Sequence, residues 1–188
     1  MKGSNNLIIL GPQGSGKGTQ GELLADKFGY VLIGAGDSLR EIAKQDTELG
    51  RRVHQTINVE GRLVEPELVA EVFEARLSAL PKEQGVIIEG FPRSLKQYEL
   101  LHNFWPKLGR GDYQVILMEL SEEEAVKRLL LRSRVDDTPE MIRERLALYN
   151  SETLPVIEAL EAEGKIIRVN GAPSIEEIHA DIVKQLNL

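Results

Sequence analysis

The chain contains no cysteine among its 188 residues. That excludes disulfides and thiolate metal centres, and it fits a reducing cytoplasm. Long apolar runs are also missing: no stretch approaches the roughly 20 residues of a membrane span. The opening "MKGSNNLIILGPQG" is too short an apolar segment to read as a signal peptide. Positive charge is scarce as well. A net charge of −7 argues against nonspecific binding to nucleic acid or to an anionic membrane, so a polyanion site must be a local basic cluster on an acidic background. Internal repeats, low-complexity tracts and long linkers are absent, and the length suits one globular domain, residues 1–188, with room for inserted lobes. The three histidines, His54, His102 and His179, read as surface or helix-face residues and are given no role.

Short apolar runs alternate with helical patterns. Asn6–Leu10, Tyr30–Ile33, Val86–Ile88, Tyr113–Leu120 and Lys165–Val169 read as strands, most of them continuous in the manner of buried parallel strands. Leu68, Val69, Val72, Phe73 and Leu77 form one helical stripe, and Ile175, Ile178, Ile182 and Leu186 another. Ser121 with Glu124 and Ser174 with Glu177 match the capping box, and Thr138-Pro139 reads as an N-cap followed by a proline at the first helical position. The expected fold is α/β: a doubly wound, parallel five-stranded sheet flanked by helices. Residues 35–80 carry helices but no convincing strand, and read as a helical insert between the second and third strands.

The loop "GPQGSGKGTQ", Gly11–Gln20, directly follows the first strand. Gly11, Gly16 and Lys17 satisfy the Gly-x-x-x-x-Gly-Lys part of the P-loop pattern, while Gly18 stands where a hydroxyl residue is usual and Thr19 comes one later. Glycines let successive backbone N–H groups turn onto phosphate oxygens, and the helix N-terminus and Lys17 add positive charge. An overlapping match to the dinucleotide pattern at Gly16, Gly18 and Gly21 is weaker and is set aside.

The third strand ends in "IEGFPRS", Ile88–Ser94, at the end of a parallel sheet where ligands bind. Glu89 is suited to a magnesium-bound water and Arg93 to a phosphate. Farther on, Arg128, Arg132, Arg134, Arg143 and Arg145 fall within 18 residues of an acidic protein. Like charges so clustered repel, and an anionic ligand is the simplest compensation.

Taken in order, "GPQGSGKGTQ", "GAGDSLR", "GRLVEPELV", "GFPRSLKQ", "RSRVDD" and "RERLALYNSETLPVI" make the chain resemble the adenylate kinases, in the short-lid form of the nucleoside monophosphate kinase family. The resemblance runs from about Leu7 to Leu186. It implies reversible transfer of the γ-phosphoryl group of ATP to AMP, giving two ADP, with Mg²⁺, by a cytoplasmic monomer. It implies that Gly14, Ser15, Gly16, Lys17, Gly18 and Thr19 hold the donor phosphates, that Arg128 and Pro173 flank the donor base, and that Arg132 reaches the donor phosphates. It implies an acceptor site of Ala35, Arg40, Gly61, Leu63, Val64, Gly90, Arg93 and Gln97, with Arg134 and Arg145 stabilising the transferring group. Residues 132–137 correspond to the lid, where Asp136 and Asp137 position the arginines.

The chain departs from the family pattern at three further places. Glu89 replaces the usual aspartate, only Ser133 separates Arg132 from Arg134 in a minimal lid, and Ala35 occupies a position where adenylate kinases usually carry threonine and UMP/CMP kinases alanine. Gln97 is the adenylate-kinase choice, although a free amide can flip to serve a pyrimidine. Read this way, a UMP/CMP kinase of the same mechanism is the alternative, and a non-catalytic nucleotide sensor or an NTPase switch the more remote ones. A sensor would be expected to lose some of these arginines, and an NTPase has no use for "GFPRSLKQ".

Overall fold

Every central strand is apolar on both faces, and the structure shows why. The computed structural model describes residues 6–56, 64–132 and 138–188. Five strands, β1 (Asn6–Leu10), β2 (Val31–Gly34), β3 (Val86–Glu89), β4 (Gln114–Glu119) and β5 (Ile166–Asn170), form one all-parallel sheet in the order β2-β3-β1-β4-β5. The expected strands are found with their ends shifted by about one residue.

Alternation along β1 divides the core. Ile8 and Leu10 face one layer with Val86, Ile88, Val115 and Leu117. Covering it are α4 (Pro66–Ser78), α5 (Leu95–Leu108) and α8 (Leu154–Ala162), through residues such as Phe73, Phe104 and Ile157. Leu7 and Ile9 face the other layer with Ile87, Ile116 and Met118, beneath Leu24 of α1 (Lys17–Phe28) and Ile178, Ile182 and Leu186 of α9 (Ile175–Leu186). A period of two therefore sends neighbouring residues into opposite cores, which is why both parities must be hydrophobic. The predicted stripe on α4 is wholly buried. The stripe on α9 needs one correction: Ile175 is half exposed, because it occupies the first helical position, ahead of the turns that pack on the sheet.

Between β2 and β3 the described residues form α2 (Ala35–Ile42), α3 (Glu48–His54) and α4. Ile42, Val53, Leu68 and Val72 give these helices a small core of their own. After β4 come α6 (Glu122–Arg132) and α7 (Pro139–Leu148), packed through Ala125, Leu129, Ile142 and Leu146. A single π-helical turn, Tyr149–Thr153, joins α7 to α8.

The caps follow the sequence closely. Thr138 accepts from the Met141 N–H, and Ser174 with Glu177 forms a complete capping box. At the start of α6 the Ser121 hydroxyl accepts from the Glu124 N–H at 3.3 Å, while the Glu124 carboxylate turns to Arg128 at 3.1 Å. Arg110 was not foreseen as a core residue. Its buried guanidinium donates to the carbonyls of Leu77, Leu80 and Gln84 at 3.2, 3.2 and 2.6 Å, and so ties the end of α4 and the approach to β3 onto the segment before β4.

Candidate active site

Strand order reverses direction around β1: β2 and β3 lie on one side of it, β4 and β5 on the other. In an open parallel sheet a crevice forms outside the carboxyl ends at such a point. Here it is a cavity of about 380 Å³ lined by Gly11, Gln13 and Lys17 from the loop after β1, and by Glu89, Gly90, Arg93 and Ser94 from the end of β3 and the loop after it. Its far wall is Arg145 and Leu148 of α7, with Tyr149, Glu152 and Thr153 of the π turn.

Gly11 must be glycine for two separate reasons. Its φ of +143° lies outside the range L side chains favour, and a Cβ there would meet the Met118 carbonyl oxygen at 2.3 Å. The chain can therefore turn over β4 and bring Lys17 back into the crevice. Lys17 Nζ donates to the Pro12 carbonyl at 2.7 Å. Burial lowers its pKa from the usual 10.5 to about 8, partly opposed by Glu89; Arg93 and Arg132 lower it further. Lys17, Glu89, Arg93 and Arg132 thus share one electrostatic neighbourhood.

Arg93 is held at three points. Its Nε donates to the Gly90 carbonyl at 2.7 Å, its backbone N–H donates to Gln97 Oε1 at 2.7 Å, and its carbonyl accepts from Thr153 Oγ1 at 3.0 Å. Gly90 has φ +79°, and a Cβ there would stand 2.5 Å from the Arg93 guanidinium. Glycine at 90 therefore clears the space in which Arg93 folds back. Buried Gln97 has its amide orientation fixed: the oxygen is anchored by the Arg93 N–H, leaving the NH₂ end to donate elsewhere.

The other expected site residues divide into four groups. Arg128 is braced beside the loop that leads to Pro173, with Nη1 on the Gly171 carbonyl at 2.8 Å, Nη2 on the Ala172 carbonyl at 2.9 Å and Nε on Glu124. Ala35 is buried at the start of α2 against the same apolar cluster as Phe91, and partly buried Val64 packs on that cluster. Arg40 stands apart from the cavity, exposed and paired with Asp37 at 2.5 Å. Gly61, Leu63, Arg134, Asp136 and Asp137 lie outside the described residues, as does all of the expected lid except Arg132.

Sequence reasoning assigned nothing to Gln13, Tyr149, Glu152 or Thr153, which line the cavity. For Tyr149, Glu152 and Thr153 the available signal was their place in "ALYNSETLP", continuous with the helix of Arg145, and for Gln13 its place within the loop "GPQGSGKGTQ". Among the described residues no cluster of three or more acidic, histidine or cysteine side chains is arranged to hold a metal. Glu89 is the carboxylate on the Lys17–Arg93 side of the cavity. A single carboxylate suits Mg²⁺ carried mainly by substrate phosphates and waters. Among the described residues no helix is long and apolar enough to cross a membrane.

Comparison with known proteins agrees with this geometry. The sequence model described as "Adenylate kinase" matches residues 9–165. Adenylate kinase 1 of Nostoc sp. is 39% identical over 172 residues, covering 92% of this chain and 93% of that protein. The adenylate kinase of Phocaeicola vulgatus is 37% identical over 95% of this chain and 96% of its own length, and that of Synechococcus sp. is 39% identical over 97% and 99%. With its parallel sheet, phosphate-type loop and near full-length similarity, the chain belongs to the adenylate kinase family.

Proposed function

We propose that the protein transfers the γ-phosphoryl group of ATP to AMP, producing two ADP. The observation that carries the reading is the convergence of Lys17, Glu89, Arg93 and Arg145 on one cavity at the strand-order reversal. Phosphoryl transfer asks little covalent chemistry of a protein; it asks for alignment and for positive charge around the equatorial oxygens. Lys17 and the N–H groups of Gly14–Thr19 hold the donor phosphates. Arg93, with Arg40, grips the acceptor phosphate, while Arg132, Arg134 and Arg145 meet the charge on the group in transit. Arg128 and Pro173 flank the donor base. Mg²⁺, when bound through the phosphates with Glu89 nearby, would neutralise charge on the donor oxygens. The residues 35–80 insert and the short lid at 132–137 exclude water, so that ATP is not lost to hydrolysis. The protein works as a cytoplasmic monomer on ATP, AMP and ADP, without nucleic acid or membrane partners.

Gln97 bears on the choice of base. Its anchored oxygen keeps one lone pair free, and its NH₂ donates. That pairing matches the amine and ring nitrogen of adenine, and equally those of cytosine; uracil and guanine present the reverse order. Ala35 lacks a hydroxyl, and one hydrogen bond is worth about 0.5–1.5 kcal/mol, roughly tenfold in selectivity. The expected order by kcat/KM is therefore AMP first, CMP the nearest rival, and UMP and GMP poor. A coupled assay with ATP, Mg²⁺ and the four monophosphates tests this. A better rate with CMP or UMP would assign the protein as a UMP/CMP kinase.

The lysine gives a pH dependence. With a pKa of about 8 in the unliganded protein, Lys17 loses its charge as pH rises through that value. Because kcat/KM reports the free enzyme, kcat/KM for ATP should fall across that range. At saturating ATP the bound phosphates favour the charged form, so kcat should hold to higher pH. A profile of kcat/KM for ATP that stays flat well above that pH would contradict the assignment of Lys17.

A further inference from the structure

One side chain in the cavity wall is unexplained by the chemistry so far. Thr153 ends the π-helical turn, is 6% exposed, and directs its hydroxyl away from its own helix onto the Arg93 carbonyl at 3.0 Å. A buried threonine in a helix ordinarily bonds back to a carbonyl one turn earlier. This one instead spans 60 positions in sequence to reach a loop on the opposite wall.

The π turn makes that reach possible. The Leu154 N–H donates to the Tyr149 carbonyl, five residues back. Side chains spaced by four drift about 40° per step around an α-helix of 3.6 residues per turn. Arg145, Tyr149 and Thr153 are so spaced, yet all three line the cavity, because the wider turn takes up the drift. Single π turns of this kind recur at functional sites. Arg93 is meanwhile gripped at both backbone polar groups, its N–H by Gln97 and its carbonyl by Thr153, while its Nε is fixed on Gly90.

We infer that Thr153 is a positioning residue, which fixes the Arg93 peptide relative to the helix carrying Arg145 and so sets the distance between the acceptor grip and the transferring group. The inference rests on the reading of Arg93 as the acceptor-phosphate arginine. Its hydroxyl is spent on the Arg93 carbonyl, so it acts through the loop it holds. Without its hydroxyl the Arg93 carbonyl loses its partner, and the loop is free to shift against α7. Small misplacements of reacting groups are costly: about 1 Å is enough for a hundredfold loss.

Three variants and one split of kinetic constants test this. Thr153→Val keeps the shape and removes the hydroxyl, Thr153→Ala removes both the hydroxyl and the methyl group, and Thr153→Ser keeps the hydroxyl without the methyl. The expected result for Val and Ala is a KM for AMP raised about tenfold, a smaller fraction of the loss that full misplacement brings, with KM for ATP unchanged. Ser should restore most of the AMP affinity. A residue that served packing alone would lower the melting temperature and the active fraction without moving KM for AMP. If Val does not fold, Ala against Ser decides, since the two differ by the hydroxyl. An unchanged KM for AMP, an equal rise in KM for ATP, or equal impairment in Ala and Ser would each overturn the inference while leaving the functional reading intact. Absence of AMP phosphorylation by the unmutated protein would overturn the reading itself, and the inference with it.

Discussion

Lys17→Met is expected to lower turnover at least about a hundredfold while the protein stays folded. The methionine keeps the length and the apolar stem, so what is removed is one charge aimed at the donor phosphates. In a water-excluded site such a charge is worth several kcal/mol, and each 1.36 kcal/mol is tenfold in rate. The structural cost is small by comparison. Lys17 contributes one hydrogen bond, to the Pro12 carbonyl, a loss of about 1 kcal/mol. Its place in the fold is otherwise fixed by the backbone at Gly11, which is untouched. Glu89 makes the loss larger, because without Lys17 its negative charge beside the incoming phosphates is offset by one cation fewer. The check is kcat together with a thermal melt. Near-normal kcat in a folded variant would remove the loop from the mechanism.

Arg93→Ala should be comparably severe but selective for the acceptor. Removing one preorganised donor to a developing charge typically costs about 10²–10³ in rate, and kcat/KM for AMP should fall by that much. Affinity for ATP should change little, since Lys17 and the loop before it stay in place. Arg93→Lys should recover only a small part. The ammonium carries the charge but not the planar fork, and it cannot keep the Nε contact to the Gly90 carbonyl that orients the side chain. Titration of AMP and ATP separately by calorimetry, alongside the kinetics, checks the split. An Arg93→Ala protein that lost ATP affinity as strongly as AMP turnover would place Arg93 in the donor site instead.

The sheet was legible because its strands are buried on both faces. Runs such as "NLIIL" and "VIIE" leave no other reading once helices separate them. The loop at Gly11–Lys17 and the arginine after β3 were legible for a different reason, since their spacing is set by local backbone geometry. What could not be read were contacts between residues far apart in sequence. Nothing near Thr153 in the chain says that it faces Arg93. Arg110 carries no signal of burial in its own stretch of sequence; three carbonyls from another segment accept its buried guanidinium. Tyr113 was read as the start of β4, but it lies just before the strand and packs edge-on against Trp105 at 5.0 Å. Ile175 failed as a core residue because a helical stripe does not reveal where along the helix packing begins.

The fate of the γ-phosphorus tests the kinase assignment most directly. ATP labelled at that atom, incubated with the protein, Mg²⁺ and AMP, should deliver the label to the β position of ADP made from AMP, with little released as inorganic phosphate. Release of the label as phosphate at the same rate with and without AMP would identify a hydrolase, and no movement of the label a nucleotide-binding protein without turnover; either result would contradict the assignment.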